Sequence, residues 1–357
     1  MSSPRTPSSL RMPAEWEPHE ATWISWPHKR DDWPGKFAPI PWVYVEIVRH
    51  LHRSERVCIL AQDLAMEKRI RRMVSQVGVE FDQISFFHFP TDRSWIRDYG
   101  PIFVEQNQNG SLDVAITNWG FNGWGKYPNW KKDQLIPSQI ATALNLRQWE
   151  PSFPIEPSSR PIVLEGGSID VNGRGTLLTT QECLLSPIQQ RNPGLAQADL
   201  EKAFHDYLGI RKVLWLCNGI TGDDTHGHVD DLARFVNPYT VIAVTEDNPT
   251  DANYHNLREN LNLLHTMTDQ DGKPLEIVTL PMPSPVYFHG QRLPASYANF
   301  YIANKVVLVP TFNSPEDRLA LATLAELFPH REVIGIHCLE LVWGLGTLHC
   351  VTQQQPG

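Results

Sequence analysis

Residues 192–217 read NPGLAQADLEKAFHDYLGIRKVLWLC, a helical pattern followed at once by a strand pattern. Asn192 caps the predicted helix, and a proline stands in its first turn. Apolar residues then recur every four positions as far as Leu208, so one face of the helix is apolar, and Gly209 ends it. The KVLWLC run at 212–217 is short and largely apolar, as strands are. The segment therefore predicts one helix–strand unit.

The same alternation extends over the whole chain. Further helices are predicted at 41–53, 63–77, 253–267 and 314–328. Further strands are predicted at 57–60, 161–164, 176–180, 241–244, 305–310 and 332–336. Interleaved helices and strands predict an α/β protein. Because no G-x-G-x-x-G follows a strand and no P-loop occurs, the sequence argues against a nucleotide-binding parallel sheet.

The composition is that of a globular protein with an acidic balance of charge. Hydrophobic residues make up 41% of the 357 residues, charged residues make up 20%, and the formal net charge is −9. This charge argues against nucleic acids and anionic membranes as partners, because both bind basic surfaces. No apolar run reaches the ~18 residues of a membrane span. Residues 1–11 lack the apolar segment of a secretory signal and are predicted to be a disordered leader before a single domain at 12–357.

The five cysteines are odd in number and widely scattered, which does not suit a disulfide framework. Together with the lack of a signal segment, this predicts a cytoplasmic protein. Four of them lie in or beside apolar stretches and are interpreted as buried and inert: Cys58, Cys183, Cys217 and Cys338. Cys350 differs, because glycines and polar residues precede it in GLGTLHC (344–350) and suggest a recess lined by backbone.

Two further clusters place a carboxylate beside a turn at the end of a strand-like run. SWIRDYGP contains Trp95 and Asp98, although it is also an ordinary turn sequence. LEGGSID contains Glu165 followed by two glycines, whose lack of side chains lets a ligand approach the backbone. Asp170–Gly173 is predicted to be a hairpin turn. The Trp- and Gly-rich stretch 118–130 is either a lid over a cation or a packed surface loop.

A third cluster, TGDDTHGHVDD, is dense in histidine and aspartate. In an extended segment residues two apart point the same way, so His226, His228 and Asp230 are predicted to share one face, with Asp231 on the other. His-x-His-x-Asp also resembles the zinc-binding run of metallo-β-lactamase-like hydrolases, which leaves a metal-dependent hydrolase as one alternative. A non-enzymatic protein that binds a small cation is another, but it gives Cys350 no role.

Taken together, RDYGP, LEGGSID, GHVDD and GLGTLHCVTQQQP resemble the agmatine deiminase and bacterial peptidylarginine deiminase family in order and spacing. MPAEWEPHEATWISWP near the N-terminus and SYANFYIAN at 296–304 are similar to it as well. The resemblance runs from about Met12 to the C-terminus. It implies a specific α/β fold, which the helix and strand patterns alone do not predict. This fold is the five-bladed propeller (pentein), in which ββαβ-type units surround a pseudo-fivefold axis with one catalytic site at the centre.

The spacing of the motif residues fits such a repeat. Asp98 to Glu165 is 67 residues, Glu165 to His228 is 63, and His228 to Cys350 is 122, or twice 61. Recurrence at about a fifth of the chain length suits one contribution from each blade.

The resemblance also implies roles for the site residues. Cys350 matches the nucleophile of the family, and His228 matches its general acid/base. Asp98 and Asp230 match the carboxylates that hold a guanidinium, and Glu165 matches the acidic residue that contacts both the guanidinium and the histidine. No metal or organic cofactor is implied.

The activity implied by the resemblance is hydrolysis of agmatine to N-carbamoylputrescine and ammonia, a step towards putrescine, through a covalent amidino-cysteine. Trp95 is implied to lie beside this small cationic guanidine, and a homodimer is expected from family likeness. Two departures leave citrullination of arginine substrates, as by peptidylarginine deiminases, as the alternative. Many agmatine deiminases have Gly-Gly-Gly-Asn where residues 344–347 are Gly-Leu-Gly-Thr, and Tyr99 stands where threonine is common.

Overall fold

Five sheets with one common pairing pattern make up most of the fold. The computed structural model describes residues 10–108, 111–155 and 158–357. In chain order, the strands are β1 (Leu10–Arg11), β2 (His19–Ser25), β3 (Arg56–Leu60), β4 (Ile84–Phe87), β5 (Ile102–Gln108), β6 (Ser111–Thr117), β7 (Arg147–Trp149), β8 (Ser152–Ile155), β9 (Ser158–Pro161), β10 (Asp170–Val171), β11 (Thr176–Thr180), β12 (Lys212–Leu216), β13 (Ala233–Phe235), β14 (Thr240–Thr245), β15 (Glu276–Pro281), β16 (Tyr287–Phe288), β17 (Gln291–Arg292), β18 (Tyr301–Ile302), β19 (Val306–Thr311), β20 (Glu332–His337) and β21 (Thr352–Pro356). The α-helices are α1 (Ile40–Leu51), α2 (Leu64–Ser75), α3 (Ile96–Tyr99), α4 (Ile136–Leu144), α5 (Gln181–Leu185), α6 (Gln197–Leu208), α7 (Tyr254–Leu264) and α8 (Asp317–Leu327).

In each of the five sheets an antiparallel pair of strands is followed by a strand parallel to the second member of the pair. Their strand orders are β1-β5-β6-β7, β10-β11-β12, β13-β14-β15, β18-β19-β20 and β21-β2-β3-β4, where β1 and β4 extend an edge. The pairs β8-β9 and β16-β17 are separate hairpins. A helix precedes each parallel strand in the chain, because parallel neighbours need a crossover connection. The predicted α/β class is confirmed.

The two ends of the chain meet in one sheet. β21 pairs antiparallel with β2, and Thr352 lies opposite Ile24. On its other side β2 pairs parallel with β3. Because Cys350 lies two residues before β21, this pairing holds the last motif of the chain against the buried interior.

Most predicted elements are present, and two helices begin later than predicted for local reasons. The helix expected from Asn192 begins at Gln197, because the Asn192 amide bonds to the backbone N–H and carbonyl of Val163 instead. The helix expected from residue 314 begins at Asp317, whose carboxylate accepts two backbone N–H groups of the preceding turn. The apolar face predicted for α6 is buried as expected.

Other local predictions have mixed outcomes. Asp63 caps α2 as its position predicts, accepting the backbone N–H of Met66 at 2.7 Å. The predicted strand at 161–164 is wrong, because beyond the end of β9 this segment forms only one bridge, between Val163 and Gly120. The chain here runs beside a loop rather than beside a strand, so the ladder cannot continue.

The predicted leader is wrong at its last two residues. Leu10 and Arg11 form β1 and pair with β5. The Arg11 guanidinium contacts Glu17 at 2.7 Å and Glu105 at 2.6 Å, so charge pairing holds this strand in place. Residues 1–9 of the predicted leader lie outside the described residues.

Two clusters of buried apolar residues pack the sheets. The larger contains β2, β3, β14 and β19 and reaches Cys350, and the smaller joins β10, β11 and α6. Burial of apolar surface stabilises such clusters by about 25 cal/mol for each Å² removed from water. In the described part of the chain, no helix is long and apolar enough to cross a membrane.

Candidate active site

A cavity of about 410 Å³ opens beside the C-terminal cysteine. Of the residues that the sequence predicts for a site, three line this cavity: Trp95, Asp98 and Cys350. The other three form a buried layer in contact with them: Glu165, His228 and Asp230. The structure therefore brings together all six predicted residues.

Each sheet contributes to this site from the segment just before its antiparallel pair. Asp98 precedes β5, Glu165 precedes β10, His228 precedes β13 and Cys350 precedes β21. The remaining sheet contributes Asn299, just before β18, which the sequence patterns did not identify. The spacing of the motifs could have indicated it. The interval between His228 and Cys350 is about twice the other two intervals, which leaves room for one more site residue, and Asn299 lies within it.

The His228 imidazole lies among three carboxylates. Its Nδ1 is 3.7 Å from Asp98 Oδ1 and 4.0 Å from Asp230 Oδ1, and its Nε2 is 3.7 Å from Glu165 Oε2. Within the described ranges, neither ring nitrogen makes a hydrogen bond of normal length. These gaps are wide enough for an N–H group or a water oxygen to contact both the ring and a carboxylate.

Burial and the neighbouring charges act in opposite directions on the pKa values of this group. Burial opposes the charged form of His228, but the Asp98 carboxylate, the Cys183 sulfur and the Glu165 carboxylate together outweigh it, and the pKa of His228 is raised well above its usual range. Burial raises the pKa of Asp98 to about 6, against the lowering effect of His228. At neutral pH the imidazole is therefore a cation beside ionised carboxylates.

Glu165 is held by an arginine that the sequence patterns missed. Arg191 Nε donates to Glu165 Oε1 at 2.9 Å, and both side chains are fully buried. Although burial raises the pKa of Glu165, Arg191 and His228 outweigh it and the pKa is lowered. Glu165 Oε2 has no hydrogen-bond partner among the residues that the structure describes, and it faces His228.

Asp230 is held by a chain of contacts between buried polar and charged side chains. His349 Nδ1 lies 2.7 Å from Asp230 Oδ2, and His349 Nε2 lies 2.8 Å from Glu15 Oε2. The two ring nitrogens of His349 thus bridge the carboxylates of Asp230 and Glu15. Burial raises the pKa of Asp230, but the His349 hydrogen bond and the nearby charges of His349, His228 and Arg234 together outweigh it, and the pKa is lowered. Glu15 is anchored in turn by Arg234 at 2.9 Å and Arg97 at 3.3 Å.

Cys350 lies at the junction of the carboxylates and the cavity. Its Sγ accepts a hydrogen bond from Asn299 Nδ2 at 3.2 Å and lies 3.7 Å from Asp230 Oδ2. Burial and the nearby carboxylates of Asp230, Asp231 and Asp98 raise the pKa of Cys350 well above its usual range. The sulfur therefore carries its proton until a positive charge comes close.

Two glycines are required by the packing of the site. A Cβ atom on Gly167 would stand 2.6 Å from His228 Nδ1 and 2.8 Å from Asp98 Oδ1. A Cβ atom on Gly346 would stand 3.1 Å from Cys350 Sγ. Real Cβ atoms do not approach so closely, so any side chain at Gly167 would displace the imidazole or the carboxylate.

The predicted alternation of the His–Asp cluster is wrong. Residues Val229–Asp231 form a 3₁₀ turn instead of an extended segment, so the period of two does not apply. The His226 ring points to Ser186 at 3.2 Å and away from the His228 group. Asp231, predicted to face away, accepts a hydrogen bond from the Asn299 amide that also contacts the nucleophile candidate.

The positions of His226 and His228 also decide whether the predicted metal-binding set can form. Since the His226 and His228 rings have different surroundings, the His-x-His-x-Asp set of a metallo-hydrolase is not assembled. Among the described residues, ligand atoms of Glu165, Cys183 and His228 lie within 4.8 Å of one another and could hold a metal ion. Cys183 is thus buried as predicted, but in the polar site and not only among apolar side chains.

The aromatic stretch 118–130 packs against the site. The Trp124 indole donates to Asp98 Oδ2 at 2.8 Å, and Trp124 is almost fully buried. This favours a packed loop over a mobile lid. The sequence departs from the family pattern at two places, residues 344–347 and Tyr99. Three residues of the first place line the cavity: Gly344, Leu345 and Gly346. Tyr99 does not, because its hydroxyl donates to the backbone carbonyl of Arg93 at 2.8 Å.

Comparisons with known proteins cover nearly the whole chain. The model of the Porphyromonas-type peptidyl-arginine deiminase family matches residues 11–356. An agmatine deiminase of Medicago truncatula is 36% identical over 97% of this chain and 96% of its own length. One of Pseudomonas aeruginosa is 34% identical over 99% of this chain and 97% of its own length. The solved structure of the Enterococcus faecalis agmatine deiminase has a TM-score of 0.87 at 30% identity and covers 99% of both chains. On these matches the chain belongs to the Porphyromonas-type peptidyl-arginine deiminase family.

Proposed function

We propose that the protein is an agmatine deiminase, which hydrolyses agmatine to N-carbamoylputrescine and ammonia on the way to putrescine. The observation that carries the proposal is the ring of three carboxylates around the His228 imidazole, beside the Cys350 thiol. A planar cation with N–H groups along its edges suits carboxylates that converge from several sides. Full-length relatives named agmatine deiminase, at 34–36% identity, support the same substrate.

Two oxygens in this ring are free to receive the guanidinium. Glu165 Oε2 and Asp230 Oδ1 have no hydrogen-bond partner in the described part of the structure. A buried unpaired oxygen is unfavourable, so both are expected to accept N–H groups of the substrate, together with Asp98. Held in this way, the guanidinium carbon faces Cys350 Sγ. Trp95 is expected to cover the alkyl chain.

The charge of the substrate is expected to generate the nucleophile. Since the pKa of Cys350 is raised by burial and by neighbouring carboxylates, the thiol starts protonated. A guanidinium beside the sulfur favours the thiolate, which is the nucleophilic form. The raised pKa of His228 leaves an imidazolium able to donate a proton.

The reaction then proceeds in two halves. The Cys350 thiolate forms a C–S bond to the guanidinium carbon, and His228 protonates the departing nitrogen as the C–N bond breaks and ammonia leaves. An amidino-cysteine remains. Neutral His228 takes a proton from water, whose oxygen attacks the same carbon. The C–S bond breaks, its electron pair returns to sulfur, and the ureido product leaves.

For the architecture, we propose that the five similar sheets are the blades of a pseudo-fivefold propeller, and that residues 12–357 form one catalytic domain. The common pairing pattern and the position of one site segment before each antiparallel pair support this arrangement. A homodimer and a cytoplasmic location stay predictions, as does the absence of nucleic acid from the partners.

The substrate is tested by measuring ammonia and the ureido product from agmatine, free arginine and a blocked arginine peptide, with and without a chelator. Release from agmatine that a chelator leaves unchanged and Cys350→Ala abolishes is the expected result. Release from the peptide alone would replace agmatine by the alternative, citrullination of arginine substrates. Appreciable activity of Cys350→Ala would refute the thiol mechanism.

A further inference from the structure

Among the described residues, four aspartates line the cavity: Asp31, Asp32, Asp98 and Asp224. Two of them already use both carboxylate oxygens. Asp98 accepts the backbone N–H of Gly167 at 3.1 Å and the indole N–H of Trp124 at 2.8 Å. Asp224 is paired with Lys126 through one oxygen and accepts the Tyr127 hydroxyl through the other at 2.6 Å. The proposed mechanism assigns Asp98 to the guanidinium, and Lys126 already balances the charge of Asp224, so neither is left for a second cationic group.

Asp31 and Asp32 are neighbours in sequence, but they differ sharply in environment. The side chain of Asp31 is 85% exposed and contacts Lys29 at 3.2 Å, so water can replace any ligand there. The side chain of Asp32 is 2% exposed. Its Oδ1 accepts from Arg93 Nη1 at 2.8 Å, whereas its Oδ2 has no hydrogen-bond partner within the described ranges.

A buried carboxylate oxygen without a donor is costly, and in a cavity wall it marks a place for a ligand donor. The Trp95 indole lies near enough to Asp32 to favour its ionised form, but it makes no hydrogen bond of normal length with Oδ2. Burial raises the pKa of Asp32 to about 6, against the lowering effects of Arg93 and Lys29, so the carboxylate is ionised at neutral pH.

We propose that Asp32 Oδ2 binds the ammonium at the far end of agmatine and thereby selects a diamine-derived guanidine. This inference rests on the proposed function, because it takes the guanidinium to lie beside Cys350. An extended agmatine places its ammonium nitrogen roughly 7 Å from the guanidinium carbon, from six bonds of about 1.5 Å each.

Trp95 connects the two ends of this path. A Cβ atom on Gly346 would stand 2.9 Å from the Trp95 ring and 3.1 Å from Cys350 Sγ, which puts this indole next to the sulfur. The same indole lines the cavity together with Asp32 and Cys350. The four methylene groups of agmatine therefore run along an aromatic wall between the sulfur and the carboxylate.

Arg93 is a positioning residue for Asp32. Its guanidinium lies over the Tyr127 ring at 4.1 Å and over the Trp124 ring at 5.7 Å, and it holds Asp32 Oδ1 at 2.8 Å. With one oxygen fixed by Arg93, the other is pre-oriented before the substrate binds. A guanidine that carries a carboxylate at its far end, in place of the ammonium, would be repelled by Asp32 because the two groups have the same charge.

The test compares agmatine with n-pentylguanidine, in which a methyl group replaces the ammonium. For the wild type we expect kcat/KM to be at least 10-fold higher for agmatine than for n-pentylguanidine, because only agmatine can form a charge-assisted hydrogen bond with Asp32. Asp32→Asn should lower the agmatine value roughly 10-fold or more, mainly through KM, and change the pentylguanidine value less than about threefold. The matched control is Asp31→Asn, the same change of charge one residue away, which should leave both values within about threefold.

The outcomes separate this inference from the proposed function. If the wild type does not turn over agmatine, the proposed function fails. If it turns over both compounds equally well, or if Asp31→Asn matches Asp32→Asn, only the assignment of Asp32 fails. Equal losses on both compounds in Asp32→Asn would also overturn it, because pentylguanidine turnover reports the folded site.

A measurement on the wild type alone covers the case in which Asp32→Asn does not fold. Homologues of agmatine with three or five methylene groups should each have a kcat/KM several-fold lower than agmatine, since a fixed carboxylate matches one chain length. A series without a preference for four methylene groups would overturn the proposal.

Discussion

Replacing Asn299 by alanine is expected to lower kcat/KM for agmatine about 10- to 100-fold at pH 7. The Asn299 amide donates to Cys350 Sγ at 3.2 Å. A hydrogen bond to a charged partner contributes roughly 1.5–3 kcal/mol, so loss of this bond to the thiolate should raise the pKa of the thiol further. Activity should therefore recover as the pH is raised, because a larger fraction of the sulfur becomes thiolate.

Thr347→Val is the matched control for this change. The Thr347 hydroxyl donates to Asn299 Oδ1 at 2.7 Å, on the other side of the same amide. Its removal leaves the contact with sulfur intact but perturbs the packing around the amide. We expect kcat/KM to fall less than about threefold and the pKa of the thiol to stay unchanged.

The assay measures kcat/KM from pH 6 to pH 10. On the same proteins without substrate it measures the rate of alkylation by iodoacetamide, over a range extended to the higher pH at which the buried thiol ionises. The midpoint of alkylation should move to higher pH in Asn299→Ala and not in Thr347→Val. A loss of activity that is uniform at every pH, with an unmoved midpoint, would refute the reasoning and leave Asn299 only a structural part. An equal loss in both variants would refute it as well.

Three further predictions concern groups that the geometry singles out. Gly167→Ala should reduce turnover at least 100-fold with little change in Tm, because its Cβ would stand 2.6 Å from His228 Nδ1; more than a tenth of wild-type activity would contradict this. Arg191→Met should destabilise the fold by roughly 3–5 kcal/mol in urea unfolding, since it leaves Glu165 buried and unpaired; an unchanged midpoint would contradict this. Burial raises the pKa of Asp133 to about 8, above that of the unfolded chain, so stability is lost as the pH rises from about 4 towards 8. Asp133→Asn should therefore gain more Tm relative to the wild type at pH 8 than at pH 5, and an equal difference at both pH values would disprove the assignment.

Local patterns were sufficient for many of the elements and for their order, but they missed others, such as β2, β5 and α4. The strand runs at 212–216 and 306–310, and the capped helix after Asp63, are found where the sequence predicts them. These signals depend on neighbours one to four residues apart, so they are readable without the fold. Where a cap made a distant contact, as Asn192 does with Val163, the predicted boundary was wrong.

The family motifs singled out the reactive residue types, but not what holds them. Asp98, Glu165, His228, Asp230 and Cys350 were all selected from the sequence, and they lie together in the structure. Their catalytic roles stay predictions that the experiments above test.

The resemblance singled out His228, but only the tertiary structure showed how its position differs from that of His226 and found the residues behind the site. A 3₁₀ turn replaced the expected extended segment, so two histidines of similar sequence surroundings face different partners. Asn299 lies in the family-like segment 296–304 but was not singled out there, and Arg191 carries no motif of its own. His349 meets Glu15 across 334 residues of chain. The sequence by itself thus determined the strand and helix periodicity and the chemical types of the reactive residues. Their pairing was decided by the fold, because buried charges find partners among groups that are close in space and not along the chain.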